Sequence, residues 1–363
     1  MKKRLQIILG TVITVVLVWF LFRDTDWAEV WHALRQASVP WILLSLVFVF
    51  AAFFLRAQRW SYIVRTAGPV SYGVLFDATQ IGFLANFVLP ARAGEAVRAV
   101  VLAKLTGFPI TKSLAFGALD RVTDLIALFA VLAITVVVYR PDSAVVLPPG
   151  FDLPDWASAL LEPAAIRNAA LMASLGIVAL VAVMVVLYVN TAIVLRMVRA
   201  TLGRFAPRWA EKLNHLIQHF ADGLHVLKSP SAMAGAIAFS LLTWLVSALA
   251  IWAGLVAFHI DGPWYTSLLV LAMTAIAISA PSTPGFVGAF HLGIMLGLFF
   301  AIAGLSADTA KAYAIFGHLS NVLPVYLVGF ISLWRRQIGL LQLKSEAEQV
   351  EEETGEVPAE AGR

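Results

Sequence analysis

The sequence holds 363 residues, 60% hydrophobic and 13% charged, with 11 tryptophans, no cysteine and a formal net charge of +4. Soluble domains run near half apolar and about a quarter charged, so this composition excludes an ordinary soluble fold and predicts a polytopic membrane protein. The absence of cysteine excludes disulfides, thiolate metal sites, iron–sulfur clusters and thiol nucleophiles.

The first apolar run, Leu5 to Phe22, follows Lys2, Lys3 and Arg4 and precedes Arg23-Asp24-Thr25-Asp26. It is longer than a signal-peptide core and has no small-residue cleavage site, so it reads as a retained anchor. Pro40 to Leu55 is the next span. Ser71 to Leu89 is apolar but breaks at Pro90-Ala91-Arg92-Ala93-Gly94, then resumes as Glu95 to Leu105. Ser113 to Tyr139 and Asn168 to Val189 are further spans. Residues 190–230 read as an amphipathic cytoplasmic segment, with Leu213, Leu216, Ile217, Phe220 and Leu224 forming a stripe. His215 and His219 lie four apart there without a clear third ligand, so no metal site is expected. Ala232 to Phe258 spans again. Trp264 to Ala280 breaks at Pro281-Ser282-Thr283-Pro284-Gly285, and Phe286 to Ala303 follows. The last span is Thr309 to Trp334. A transmembrane domain therefore covers residues 1–344. The remainder, 345–363, holds seven glutamates and one arginine and is expected to be a disordered acidic tail.

Broken helices at membrane depth are tolerated where protein shields the backbone or a wet cavity is lined. Both interrupted regions are thus predicted to be re-entrant helical hairpins. With the N-terminus inside, six spans and two hairpins place most Lys and Arg residues in cytoplasmic segments, as the positive-inside rule requires. Both termini are then cytoplasmic. Pro90-x-x-x-Gly94 and Pro281-x-x-x-Gly285 share a spacing, and Gly107 and Gly304 follow each hairpin. Halves 40–140 and 231–335 therefore read as an inverted-topology repeat, an arrangement that builds substrate sites where broken helices meet. The expected fold class is an all-α polytopic membrane bundle.

The strongest chemical signal is Asp120-Arg121-Val122-Thr123-Asp124 inside the span from Ser113. A charged residue near a span's centre costs about 2.5–3.5 kcal/mol on the insertion scale, and such residues face a bundle interior or wet cavity. Asp120, Arg121 and Asp124 share one helix face. A second constellation is Asn86, Pro90, Arg92, Gly94, Glu95 and Arg98 at the first break. Freed amides there, with Arg92, suit an anionic oxygen. Pro284 and Gly285 at the second break, with His291 and His318, complete the candidate substrate-binding set. Gly293-x-x-x-Gly297 reads as helix packing. No nucleotide-binding loop, dinucleotide fingerprint or nucleophile elbow stands in a suitable context. No cofactor, catalytic residue or nucleic-acid partner is expected, and energy supply or headgroup synthesis would fall to a partner chain.

The run Arg56-Ala57-Gln58-Arg59-Trp60, then Asn86, Pro90, Arg92, Gly94, Glu95 and Arg98, then Asp120-Arg121 with Asp124, resembles the lysylphosphatidylglycerol synthase transmembrane region, a flippase-like family of bacterial and archaeal membrane proteins. Pro281, Pro284, Gly285 and Gly288 resemble that family's later turn. The resemblance covers about Trp41 to Trp334. Phe286 and His291 stand where the family has a glycine and a glutamate, and Asp120 where it commonly has glutamate. The resemblance implies a stand-alone flippase-like protein of the prokaryotic cytoplasmic membrane, not an enzyme. Arg92, Arg98 and Arg121 would meet a lipid phosphate, while Glu95, Asp120 and Asp124 hold them. The alternatives are an ion-coupled transporter of a small polar solute, titrating Asp120 and Asp124, and a membrane transferase using Glu95 or Asp124 as base.

Overall fold

The computed structural model describes residues 2–89, 93–139, 192–201, 229–279 and 284–355, with isolated positions between 162 and 203. Pro90, Arg92, Pro281, nearly all of the loop 141–163 and of the span Asn168–Val189, and most of the amphipathic segment, His215 and His219 included, lie outside the described residues. Among those described, all regular structure is helical.

Helix α1 (Lys2–Phe22) leads into α2 (Trp27–Gln36), whose first amides are capped by Asp26; its Oδ1 accepts from Ala28 N at 2.8 Å. Pro40 starts α3 (Val39–Val64), where its missing N–H costs nothing. Then come α4 (Tyr72–Val88), α5 (Gly94–Thr106) and α6 (Ile110–Val138). Leu89 is extended, the conformation forced on a residue before proline, so α4 stops there. The second half of the chain holds α7 (Pro230–Ala257), α8 (Thr266–Ser279), α9 (Ala289–Ala301) and α10 (Ala307–Arg336), followed by α11 (Leu340–Gly355).

Three helices, the segment Val39–Ala67 with α7 and α10, are long and apolar enough to cross a membrane. Their outward faces are apolar: on α10, Leu319, Leu323, Leu327, Phe330 and Trp334 are exposed at helical spacing. The interior holds Arg59, Asp77, Gln80, Arg98 and Asp120. Polar inside and apolar outside is what a hydrocarbon solvent selects.

Each half contains a tight helical hairpin. In the first, a Cβ on Gly94 would lie 2.2 Å from Gly82 O, and Gly94 N donates to Asn86 Oδ1 at 2.9 Å. In the second, a Cβ on Gly293 or Gly297 would meet the α8 backbone at 2.5 and 2.4 Å, so this glycine pair is a packing surface as expected. The turns face each other, with Phe87 edge-on to Phe286 at 5.1 Å. Gly107 and Gly304 both adopt left-handed backbone, φ 72° and 74°, after the second helix of their hairpins. Because Gly94 admits no side chain, Gly94→Ala is expected to destabilise by on the order of 1–3 kcal/mol or more. A lowered melting temperature of the purified protein checks this.

Contacts at the two ends of the bundle fix which segments lie together. At one, Lys311 Nζ is 3.0 Å from Asp308 and 3.3 Å from Asp24 O, and Tyr139 meets Tyr265 and Phe300. At the other, buried Asp77 accepts from Arg335 and, at 2.5 Å, from Arg336 Nε, while Lys104 pairs with Glu346 at 2.7 Å.

Two expectations need correction. The span set at Pro40–Leu55 continues as helix to Val64, carrying Arg56 and Arg59 into the bundle. The tail from Ser345 is not disordered throughout: α11 runs to Gly355, with Leu343 and Ala347 buried and Glu346 held by Lys104. Its low apolar content hid the few residues that anchor it. Residues 356–363 lie outside the described set.

Candidate functional site: a buried ion cluster

The cluster is built on α6. Asp120, Arg121 and Asp124 occupy adjacent turns of this helix, and Arg121 lies about 16 Å along it from Ile110. Asp120 has no exposed surface and is gripped from two sides. From α3, Arg59 donates through Nε to Oδ1 at 2.7 Å and through Nη2 to Oδ2 at 2.9 Å. From α5, Arg98 Nη1 donates to Oδ2 at 2.7 Å. Arg59 Nη1 also donates to Asp124 Oδ1 at 2.5 Å, and Trp244 of α7 donates its indole N–H to the same oxygen at 3.1 Å. Arg98 lies 4.4 Å over the ring of Trp60, a cation–π contact that replaces part of its lost hydration.

The outer edge is different. Arg121 donates to Glu95 and sits 3.7 Å from Asp124, while Glu95 Oε2 is 3.3 Å from Arg98 Nη2. The side chains of Arg121 and Glu95 are 41% and 38% exposed, against 2% for Arg59. Three guanidiniums thus meet three carboxylates, neutral in sum. Its inner part is closed and its Glu95–Arg121 edge open. Bidentate geometry and near-complete pairing are what make buried charges tolerable.

The predicted site residues divide accordingly. Glu95, Arg98, Asp120, Arg121 and Asp124 come together as one network. Asn86 and Gly94 serve the hairpin turn. Arg98 and Arg121, expected to meet a phosphate, are engaged by carboxylates, and Arg92 lies outside the described residues. His291 and His318 stack with ring centroids 4.7 Å apart. His318 Nε2 is 2.7 Å from Gly285 O and His291 Nδ1 accepts from Gly288 N at 3.4 Å, so both brace the second turn. Among the described residues no hydrogen bond or ion pair joins them to the cluster. Of Pro284 only the backbone is described, in a short helical turn with Gly285. No group of three or more His, Asp or Glu residues is placed to hold a metal among the described residues.

Sequence reasoning missed Arg59, which carries three of the network's hydrogen bonds, and Trp244. Arg56 and Arg59 fall beyond the span read as Pro40–Leu55 because hydropathy drops at Arg56. The signal that finds them is their i, i+3 spacing within a helix that lacks a breaker before Gly68.

Comparison with known proteins identifies the family of the chain. Residues 7–329 match the family described as the Lysylphosphatidylglycerol synthase TM region. The protein named Glycosyltransferase AglD of Haloferax volcanii is 25% identical over 98% of this chain, which spans 58% of that relative's length. Two proteins of Methanothermobacter thermautotrophicus, both named UPF0104 membrane protein, are 26% and 22% identical, covering 84% and 91% of this chain and 88% and 93% of their own lengths. No solved structure matches. The chain is a multi-pass integral membrane protein and belongs to the family of the lysylphosphatidylglycerol synthase transmembrane region.

Proposed function

We propose that this chain binds a lipid or lipid-linked headgroup within the cytoplasmic membrane and moves it between leaflets, without covalent chemistry. One observation carries this reading: the half-exposed Glu95–Arg121 pair sits on an otherwise closed, neutral ion cluster inside an apolar-surfaced bundle. A charged pair open to its surroundings at that depth calls for a polar space, not hydrocarbon. Two hairpins whose turns meet at Phe87 and Phe286 support an inverted repeat that rocks about the cluster. In this reading the end carrying Lys104, Arg335 and Arg336 is cytoplasmic, with both chain termini, and each hairpin re-enters from its own side. Six crossings then bracket the two hairpins.

A glycosylated lipid as cargo fits the relative named as a glycosyltransferase. The direct test is headgroup movement of fluorescent lipids in proteoliposomes. Wild-type protein is expected to accelerate it over empty vesicles, and Arg121→Gln or Glu95→Gln to reduce it at least about tenfold. Wild-type vesicles no faster than empty ones would remove the reading. Proton- or sodium-coupled solute uptake without lipid movement would replace it with a solute transporter.

A further inference from the structure

A cavity of about 160 Å³ opens between α3, α7, α8, α9 and α10, beside the ion cluster. Trp244 is the shared wall: its N–H serves Asp124, and its ring lines the cavity. The lining is mainly apolar, with Val270, Ile294 and Phe316 among its residues. Its cation is Arg56, one turn before Arg59 on the same face of α3. Among the described residues no carboxylate stands within ion-pair distance of Arg56, and no hydrogen bond engages it. Its guanidinium rests 5.2 Å over the ring of Phe83. The nearby acids are already spent: Asp120 on Arg59 and Arg98, Asp124 on Arg59 and Trp244, Glu95 on Arg121 and Arg98. Thr274, 7% exposed, lines the same cavity, and its buried hydroxyl has no hydrogen-bond partner.

A half-buried guanidinium left over from a neutral cluster and an unpaired hydroxyl, in one cavity, are costly unless a ligand meets them. Guanidinium geometry matches phosphate oxygens. An engineered apolar cavity of about 150 Å³ takes a benzene-sized guest, so this one admits a phosphate ester with a few carbons but not a whole phospholipid. We propose that the cavity is an anion subsite in which Arg56 holds the phosphate ester of an amphiphile, Thr274 meets a polar atom of the same group, and the apolar wall takes the first carbons of its chain. The proposal rests on the headgroup-carrying reading above and names a different contact for it than Glu95 and Arg121.

The test is equilibrium binding of phosphorus-32-labelled dodecyl phosphate to the purified full chain in neutral detergent, with protein-free micelles subtracted. Unlabelled dodecyl phosphate should displace the label and dodecanol should not. Inorganic phosphate should do so only at concentrations about a hundredfold higher or more, since it lacks the chain's apolar contribution. Displacement by inorganic phosphate as readily as by dodecyl phosphate would overturn the amphiphile and leave a soluble-phosphate site. Arg56→Gln should weaken binding at least about tenfold, with Arg56→Lys retaining part, and Thr274→Val by about threefold. Removing an unpaired charge should leave the melting temperature of Arg56→Gln no lower than wild type. Binding that is absent, or unchanged by Arg56→Gln, overturns the subsite. If lipid movement nevertheless depends on Glu95 and Arg121, the broader reading survives that result.

Discussion

Asp120→Ala is expected to be the most destabilising single substitution in the cluster, at about 3–5 kcal/mol. The carboxylate is fully buried and accepts three hydrogen bonds from two arginines on two other helices. Its removal leaves Arg98 with only a loose contact to Glu95 and Arg59 with Asp124 alone, both of them buried side chains. Melting of the purified protein in detergent should shift down strongly, and the monodisperse fraction should fall. Asp120→Asn keeps the shape and two lone pairs and should lose less. Combining Asp120→Ala with Arg98→Met should recover part of the loss, because one orphaned charge is then gone. A wild-type melting curve for Asp120→Ala would show that the cluster does not hold α3, α5 and α6 together.

The second large effect is on transport and uses a charge swap. The swap Glu95→Arg with Arg121→Glu rebuilds the mutual pair but sets the new arginine beside Arg98 and the new glutamate beside Asp124, so it recovers only part of the stability that either single variant loses. If the pair only fastens α5 to α6, lipid movement recovers in step with that stability; if the half-exposed edge meets cargo, it does not, because the charges facing the headgroup are reversed. The expected result is a melting temperature above those of the single variants with lipid movement still at least about tenfold below wild type. Proteoliposome flux and thermal melting on the same preparation check both halves. Full recovery of flux would reduce the pair to a fastener.

The fold was legible where one physical rule dominates. Apolar runs marked α3, α7 and α10 because hydrocarbon thickness sets a length, and the proline–glycine breaks marked the hairpin turns because no helix continues through them. The cluster was half legible. Asp120, Arg121 and Asp124 stood out as charges inside an apolar run, whereas Arg59 was hidden at the end of one. Hydropathy cannot separate an arginine at the membrane edge from one turned inward toward a carboxylate on another helix; only the partner distinguishes them. The histidines erred the other way. His318 stands as far past Gly304 as Arg121 does past Gly107, yet packing of the second turn takes up its ring and that of His291. The shared proline–glycine spacing located both turns but said nothing of which side chains pack them. α11 escaped notice for a related reason: Leu343, Ala347 and one ion pair suffice to dock a helix whose remaining residues are acidic.

The exact balance of three guanidiniums against three carboxylates also bears on how the membrane potential can act. A potential does work of about 2.3 kcal/mol per elementary charge per 100 mV. A cluster of zero net charge that shifts as a unit through that field is neither driven nor opposed by it. Any voltage dependence of the cluster's own movement would then have to be carried by the charge on whatever travels with it.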